Sequence, residues 1–415
     1  MLGPMLRGVI VFVITYVLVA TRRLRVVKID RPAGALTGAV LAVALGAITP
    51  EEAAHAVDQT TIILLFAVMG MGAFLSVDGF FERASRRIIA WARTPTRLVG
   101  ATIWGAGILG AIVTNDAICV LAAPLVVSWI ADYRLPRLPL LLALATGANT
   151  GSVATLVGNP QNMLCGSLGH LRFASFALHM IPVAIVGLAI NHALILLLFK
   201  KDLQGELPRE SRPAGALDEK LFTLRSVVTL AVILGTVVLY TAGAPLSFTA
   251  LGGFVVLLLV HRTEPEKVWS RIDWSVLLFF GGLFVAVDAL ARSGAATWAF
   301  TKFPLLGDGP TTTSSWLRAS LIFLVGSNVV TNVPFILVVK DEMAKLPDPM
   351  LGWELLAMAS TFAGNLTLLG SVANVIVAEK AQSVGGLRFG EYLKIGIPLA
   401  TVTTLVGAVM LVFLR

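Results

Sequence analysis

Apolar runs about as long as a bilayer's hydrocarbon core is thick recur along nearly the whole chain, separated by short polar or charged segments. Within each run the hydrophobic positions are continuous rather than alternating with period two. That predicts membrane helices and excludes a β-barrel. The runs fall at 2–20, 33–48, 60–81, 97–131, 138–168, 174–199, 223–241, 246–261, 274–291, 314–340, 351–384 and 392–414. Two of them carry a polar interruption, Thr114-Asn115-Asp116 within 97–131 and Thr331-Asn332-Val333-Pro334 within 314–340. Each of these is either two spans or a re-entrant hairpin that enters and leaves by one face.

Loop charge sets the sidedness of the segments around them, because Lys and Arg collect in short cytoplasmic loops. Arg22, Arg23, Arg25, Lys28 and Arg31 put the loop after the first run inside, and Glu51, Glu52 and Asp58 then face outside. Arg83, Arg86, Arg87, Arg93 and Arg97 are inside, and with 97–131 as a hairpin the loop with Arg134 and Arg137 is also inside, as its charge requires. The loop from Arg262 to Arg271 is inside, Asp341 to Asp348 outside, and Lys380, Arg388 and Lys394 inside again. The expectation is ten full spans and two hairpins opening from opposite faces, with the N-terminus outside.

Composition narrows the class. Of the residues, 57% are hydrophobic and 13% charged, against about a quarter charged in soluble domains. The net charge of +8 belongs to cytoplasmic loops facing a lipid bilayer, and no nucleic-acid partner is expected. The first run reads as a retained helix rather than a signal peptide, since no small-residue cleavage site precedes the basic cluster. Cys119 and Cys165 both fall in apolar segments and form neither a disulfide framework nor a zinc motif. There is no phosphate-binding GxxxxGK[ST] string, no metal-ligand cluster and no nucleophile–base motif, so the expectation is not an enzyme: no catalytic residues, no bound metal and no cofactor.

The two halves are related. "VTN" at 113–115 recurs at 330–332, and "TLVGNPQNML" at 155–164 recurs as "TLLGSVANVI" at 367–376. Five spans and a hairpin in each half would invert the second copy, the signature of an inverted-repeat secondary transporter. The expected organisation is a first repeat at 1–199 with a cytoplasmic hairpin at 97–131 and a broken helix at 138–168. A cytoplasmic linker at 200–222 follows, then an inverted repeat at 223–415 with an external hairpin at 314–340 and a broken helix at 351–384.

Broken backbone at membrane depth is tolerated only where it is buried in protein or lines a wet cavity. In "GANTGSVATLVGNPQN", Gly147, Gly151, Gly158 and Pro160 are expected to unwind a helix, leaving Asn149, Thr150, Ser152, Thr155, Asn159 and Asn162 to form a polar cup. The matching set is Gly364, Asn365, Thr367, Gly370, Ser371 and Asn374. Hairpin tips add Thr114, Asn115 and Asp116 from one side and Ser327, Asn328, Thr331 and Asn332 from the other. Asp116 is the one carboxylate in these motifs and the expected proton carrier, since intramembrane acids are costly and usually functional. The competing view of the motifs is that small residues merely allow close helix packing, and of Asp116 that it is a hairpin-tip cap. Asp78 and Asp288, in "FLSVDG" and "FVAVDA", are second candidates for the proton whose places near span ends favour a solvated or interfacial reading, and His170, His179 and His192 read as unpaired. The cysteines read as small packing residues rather than thiol ligands.

"VTNDAICVLAAP", "GANTGSVATLVGNPQN", "SNVVTNVPFILVV" and "STFAGNLTLLGSVANVIVAEKA" resemble the ion transporter superfamily. Within it the chain is similar to the branch of arsenite permeases, sodium/proton antiporters and anion permeases. The resemblance implies a multi-pass protein of the cell inner membrane, with a scaffold and a transport domain that moves across the bilayer. It implies efflux of arsenite or antimonite in exchange for protons, with a soluble ATPase subunit as a candidate partner. The "TLVGNPQN" string looks more like the antiporter and anion-permease branches. Sodium-coupled transport of an anion such as a dicarboxylate, or sodium/proton antiport, is therefore the alternative, with sodium in place of the proton.

Overall fold

The computed structural model describes residues 3–20, 30–207, 220–307 and 311–414. Arg22, Arg23, Arg25 and Lys28 lie outside the described residues, as does most of the expected 200–222 linker. Among the described residues the chain forms twenty α-helices, one short 3₁₀ turn and no strand. The first ten are α1 (Pro4–Ala20), α2 (Arg31–Ala44), α3 (Pro50–Ala56), α4 (Gln59–Val77), α5 (Phe80–Trp91), α6 (Pro95–Ile112), α7 (Asn115–Asp132), α8 (Arg137–Ser152), α9 (Pro160–Leu168) and α10 (Phe173–Leu198). The next ten are α11 (Leu224–Thr241), α12 (Leu246–His261), α13 (Pro265–Trp269), α14 (Trp274–Arg292), α15 (Ala295–Lys302), α16 (Thr313–Val329), α17 (Asn332–Met343), α18 (Pro349–Ala363), α19 (Val372–Lys380) and α20 (Phe389–Leu414).

The second ten repeat the succession of the first. Two apolar helices, a very short one, a third apolar helix and a short connector lead into a hairpin pair, a broken pair and a closing helix. The closing helices α10 and α20 both have 26 residues and one internal proline, Pro182 and Pro398. Six helices, α4, α7, α10, α11, α14 and α20, are long and apolar enough to cross a membrane, and α1, α2 and α12 are shorter apolar helices. The molecule is an all-α polytopic membrane protein.

Packing sorts these helices into two layers. One, called the frame here, pairs α2 with α14 and α4 with α12, with α1 and α11 against the same partners. The other, called the cup, packs α6 and α7 on α8, α16 and α17 on α18, and α10 and α20 around them. At the centre of the cup, α8 is buried from Pro139 to Ser152 and α18 from Leu351 to Ala363. A helix apolar or small on every face is one surrounded by protein.

Local chemistry sets the breaks. The first hairpin turns at Val113 and Thr114, whose side chain accepts the Ala117 amide and so starts α7. The second turns at Val330 and Thr331; Thr331 has φ 70° and ψ 153°, a region that costs a non-glycine residue about 1–3 kcal/mol and persists only where its surroundings impose it. Helix α17, with 12 residues, is about 18 Å long at 1.5 Å per residue, too short to span and of a length that suits a re-entrant arm. Helix α8 stops at Ser152, and α9 restarts at Pro160 behind Asn159, which caps it; α18 stops at Ala363, and α19 restarts behind Ser371.

Two expectations change. Gly147 and Gly151 do not unwind the chain; both lie inside α8. They allow α6 to pack closely, since a Cβ on Gly147 would meet Ile103 backbone at 2.9 Å and one on Gly151 would meet Gly107 Cα at 2.2 Å. Only 153–159 is free of helix there. The span expected at 60–81 is also shorter than the run. It ends at Val77, turns through Gly79 at φ 69°, and continues as α5, which buries Phe81, Ser85 and Ile89 at helical spacing.

Candidate functional site

Both broken helices and both hairpin tips meet in the middle of the cup through one network of amides. Asn115 donates from Nδ2 to Asn149 Oδ1 at 2.8 Å, joining the first tip to α8. Asn149 Nδ2 then donates to Asn365 Oδ1 at 3.1 Å and Asn374 Oδ1 at 2.9 Å, crossing between the halves. Asn365 returns a bond to Thr150 Oγ1 at 2.9 Å, and Ser371 Oγ donates to Asn149 Oδ1 at 3.0 Å. Asn159 Nδ2 donates to Ser152 Oγ at 2.9 Å and Thr361 Oγ1 at 3.1 Å, and Thr361 donates to Asn162 Oδ1 at 3.0 Å.

The unwound carbonyls are held the same way on both sides. Asn162 Nδ2 donates to the carbonyls of Thr155 at 2.8 Å and Ser152 at 3.2 Å. Asn374 Nδ2 donates to those of Thr367 at 3.2 Å and Gly364 at 2.7 Å. Each asparagine thus reaches back seven and ten residues to backbone that has no helical partner. The tips dock on the breaks in parallel fashion. The Asn115 amide donates to Gly158 O at 3.0 Å, and Asn332 Nδ2 to Gly370 O at 3.1 Å. Thr155 Oγ1 donates to Ala111 O at 2.5 Å, while Asn328 donates to Ala363 O at 3.0 Å and accepts from Thr367 at 3.3 Å.

Two cavities border this network. The smaller, about 60 Å³, lies between the layers and is walled by Asn115, Asp116, Pro160, Gln161, Thr331, Asn332 and Ser371 from the cup, and by Val19, Arg31, Phe279 and Phe280 from the frame. The larger, about 570 Å³, is an open vestibule walled by Leu65, Met69, Val276 and Asp273 from the frame, Glu82 from α5, and Thr114, Asp116, Pro160 and Lys380 from the cup. Asp116 and Pro160 stand in both walls. Asp273 and Arg31 are the charged side chains close enough to act on the Asp116 carboxylate.

The candidate residues therefore have two kinds of surroundings. Thr114, Asn115, Asp116, Thr331, Asn332 and Ser371 face a cavity. Asn149, Thr150, Ser152, Thr155, Asn159, Asn162, Asn328, Asn365, Thr367 and Asn374 form the bracing behind them, and Ser327 is buried with its hydroxyl unpartnered. Five oxygens on the small cavity's wall are also buried with no hydrogen-bond partner in the protein: Asn115 Oδ1, Asp116 Oδ1, Gln161 Oε1, Thr331 Oγ1 and Asn332 Oδ1.

Gln161 and Arg31 were not singled out by sequence reasoning. Gln161 is legible in hindsight inside "GNPQN"; Arg31 reads as one more loop charge. The cysteines are fully buried and line neither cavity. Three smaller readings are corrected. Asp78 is not solvated: it is buried 3.7 Å from His261, itself buried. His179 is not unpaired, lying 2.9 Å from Glu354, and His192 Nδ1 accepts from Trp104 at 3.3 Å.

A helical bundle whose broken helices and hairpin tips converge on a buried polar cup defines a membrane transporter. Residues 16–363 match the profile of the citrate transporter family, CitMHS, and the chain belongs to that family. The silicon efflux transporter LSI3 of Oryza sativa is 30% identical over 98% of this chain and 97% of its own length. The putative transporter arsB of Dictyostelium discoideum is 28% identical over 98% of this chain and 92% of its own. The YdaH transporter of Alcanivorax borkumensis, known from a crystal structure, is 13% identical with a TM-score of 0.50 over 84% of this chain and 83% of its own, a likeness of fold alone.

Proposed function

We propose that the protein exports a small neutral hydroxylated metalloid acid, with arsenite and antimonite as the leading cargo, in exchange for protons carried by Asp116. The observation that carries this is the set of five unpartnered oxygens on the small cavity's wall. Each buried acceptor left unpaired costs about 1–3 kcal/mol, so the fitting cargo is one that donates. A trihydroxide such as arsenous acid brings three O–H donors and no charge. Citrate brings mostly acceptors and would meet oxygen with oxygen. The helix starts do little for an anion here: Pro160 has no N–H, Asn159 takes the Asn162 amide at 2.8 Å, and Ser371 takes that of Ala373 at 3.2 Å. The names of the rice and Dictyostelium relatives point to the same cargo class.

A second reading, sodium-coupled transport of citrate or a dicarboxylate, is favoured by the family and by Arg31 on the cavity wall. Sodium would be held by the same oxygens. The test is purified protein in proteoliposomes, supplied with arsenite, silicic acid or citrate, with and without a pH gradient and with and without sodium. Arsenite movement driven by the pH gradient alone is the expected result; citrate movement that requires sodium is the result that replaces it. In the same vesicles Asp116→Asn should abolish pH-driven net efflux, because an amide cannot change protonation between the two faces, while exchange of labelled for unlabelled arsenite persists at a reduced rate.

A further inference from the structure

Arg31 is the first residue of α2, fixed there by the Asp30 cap, which accepts the Ala33 amide at 2.9 Å. Helix α2 belongs to the frame and packs against α14. Yet Arg31 stands in the wall of the small cavity, whose opposite wall carries Asp116 and the four unpartnered amide and hydroxyl oxygens of the cup. Among the described residues lining that cavity it is the only cationic side chain. At about 60 Å³ the space holds no more than a few waters, so little solvent stands between the two charges, and screening there is weak. The other charged groups near Asp116 lie on the vestibule side: Asp273 before α14, Glu82 on α5, Arg271 beside Asp273, and Lys380 at the end of α19. Cys119 is its nearest titratable neighbour on α7. Arg31 is thus the one positive group that faces the carboxylate from inside the small cavity.

We propose that Arg31 is the counter-charge of Asp116, and that the pair ties the cup to the frame whenever Asp116 is ionised. Protonation of Asp116, or a cargo that donates hydrogen bonds into the same oxygens, removes the partner and frees the cup to move. The inference deepens the function proposed above and rests on it in one respect: Asp116 changes charge during the cycle. It assigns Arg31 to coupling rather than to holding an anionic cargo.

The experiment compares Arg31→Gln, Asp116→Asn and the double variant R31Q/D116N, with Arg31→Lys as a charge-keeping control, in arsenite exchange at equal pH on both sides of the vesicle. Size-exclusion profiles of each purified variant check folding. In alkaline buffer R31Q leaves a buried carboxylate without its partner and should slow exchange about tenfold or more. In acid buffer, where Asp116 takes up a proton, R31Q should recover most of that loss. The double variant, with neither charge, should exchange faster than either single variant, and R31K should fall less than R31Q. A double variant slower than both single variants, from folded protein, overturns the pairing, as does an R31Q that exchanges like wild type at every pH. Citrate exchange abolished by R31Q and spared by D116N also overturns it, by giving Arg31 to the cargo. Proton coupling is judged separately. If D116N alone keeps pH-driven efflux, the coupling role of Asp116 falls, while the rescue in the double variant still decides the pair.

Discussion

Asn162 and Asn374 do the same work 212 positions apart, each tying its amide to carbonyls seven and ten residues earlier. Replacing either by Ala removes at least two hydrogen bonds, each worth about 0.5–1.5 kcal/mol. Asn162→Ala should therefore lower the thermal unfolding temperature in detergent and weaken arsenite transport together. Asn115→Ala, whose Oδ1 faces the cavity, should affect transport more than unfolding. Equal losses on both measures in both variants would remove the distinction between bracing and cavity-facing asparagines. Both asparagines were legible in the sequence because repeated polar letters stand out in apolar runs. Their separate duties were not, since the same letter serves a carbonyl or a cavity according to a rotation that no local pattern records. Arg31 was illegible for another reason: its place on the cavity wall depends on α2 packing beside α14, far along the chain.

At the level of the helix, the breaks were readable and the connectors were not. Thr114-Asn115 and "TLVGNPQN" mark the interruptions of the 97–131 and 138–168 runs where the helices do stop. Helix α5 was hidden because Phe80 and Phe81 extend the apolar run past Gly79, and only the left-handed backbone at that glycine separates the two helices. The misassigned glycines have a direct test. A Cβ on Gly151 would meet the Gly107 backbone at 2.2 Å, and overpacking of that kind costs about 1–3 kcal/mol. Gly151→Ala should push α6 away from α8 and reduce both folded yield and transport. Gly105→Ala on α6, where an added Cβ meets nothing within 4 Å, should cost little by both measures. An unaffected Gly151→Ala would mean that the two helices do not pack this closely in the membrane.

Across the whole molecule, the similarity of the two halves was visible in two short strings, while the division into frame and cup was not, because layers are a matter of which helices touch. Sidedness is open to direct measurement. Both native cysteines are fully buried, so single cysteines can be placed on an otherwise unaltered chain. Cysteines at the exposed positions Arg134 and Arg262 should react only with a reagent on the cytoplasmic side, and those at Glu51 and Asp341 only from outside. Labelling of positions 83 and 134 from opposite sides would mean that 97–131 crosses the membrane once, and would remove the first hairpin.

The vestibule has one more consequence. At about 570 Å³ it falls within the size range of pockets that hold drug-like molecules. Its wall is drawn from both layers, with Leu65, Met69 and Val276 offering an apolar bed on one side, and Asp116 and Asp273 two acids at one end. A compound with a greasy body and a single amine would fit it and touch both layers at once without resembling the cargo. Because Asp116 stands in the wall of both cavities, an inhibitor of this kind would compete for that carboxylate with whatever enters the smaller one.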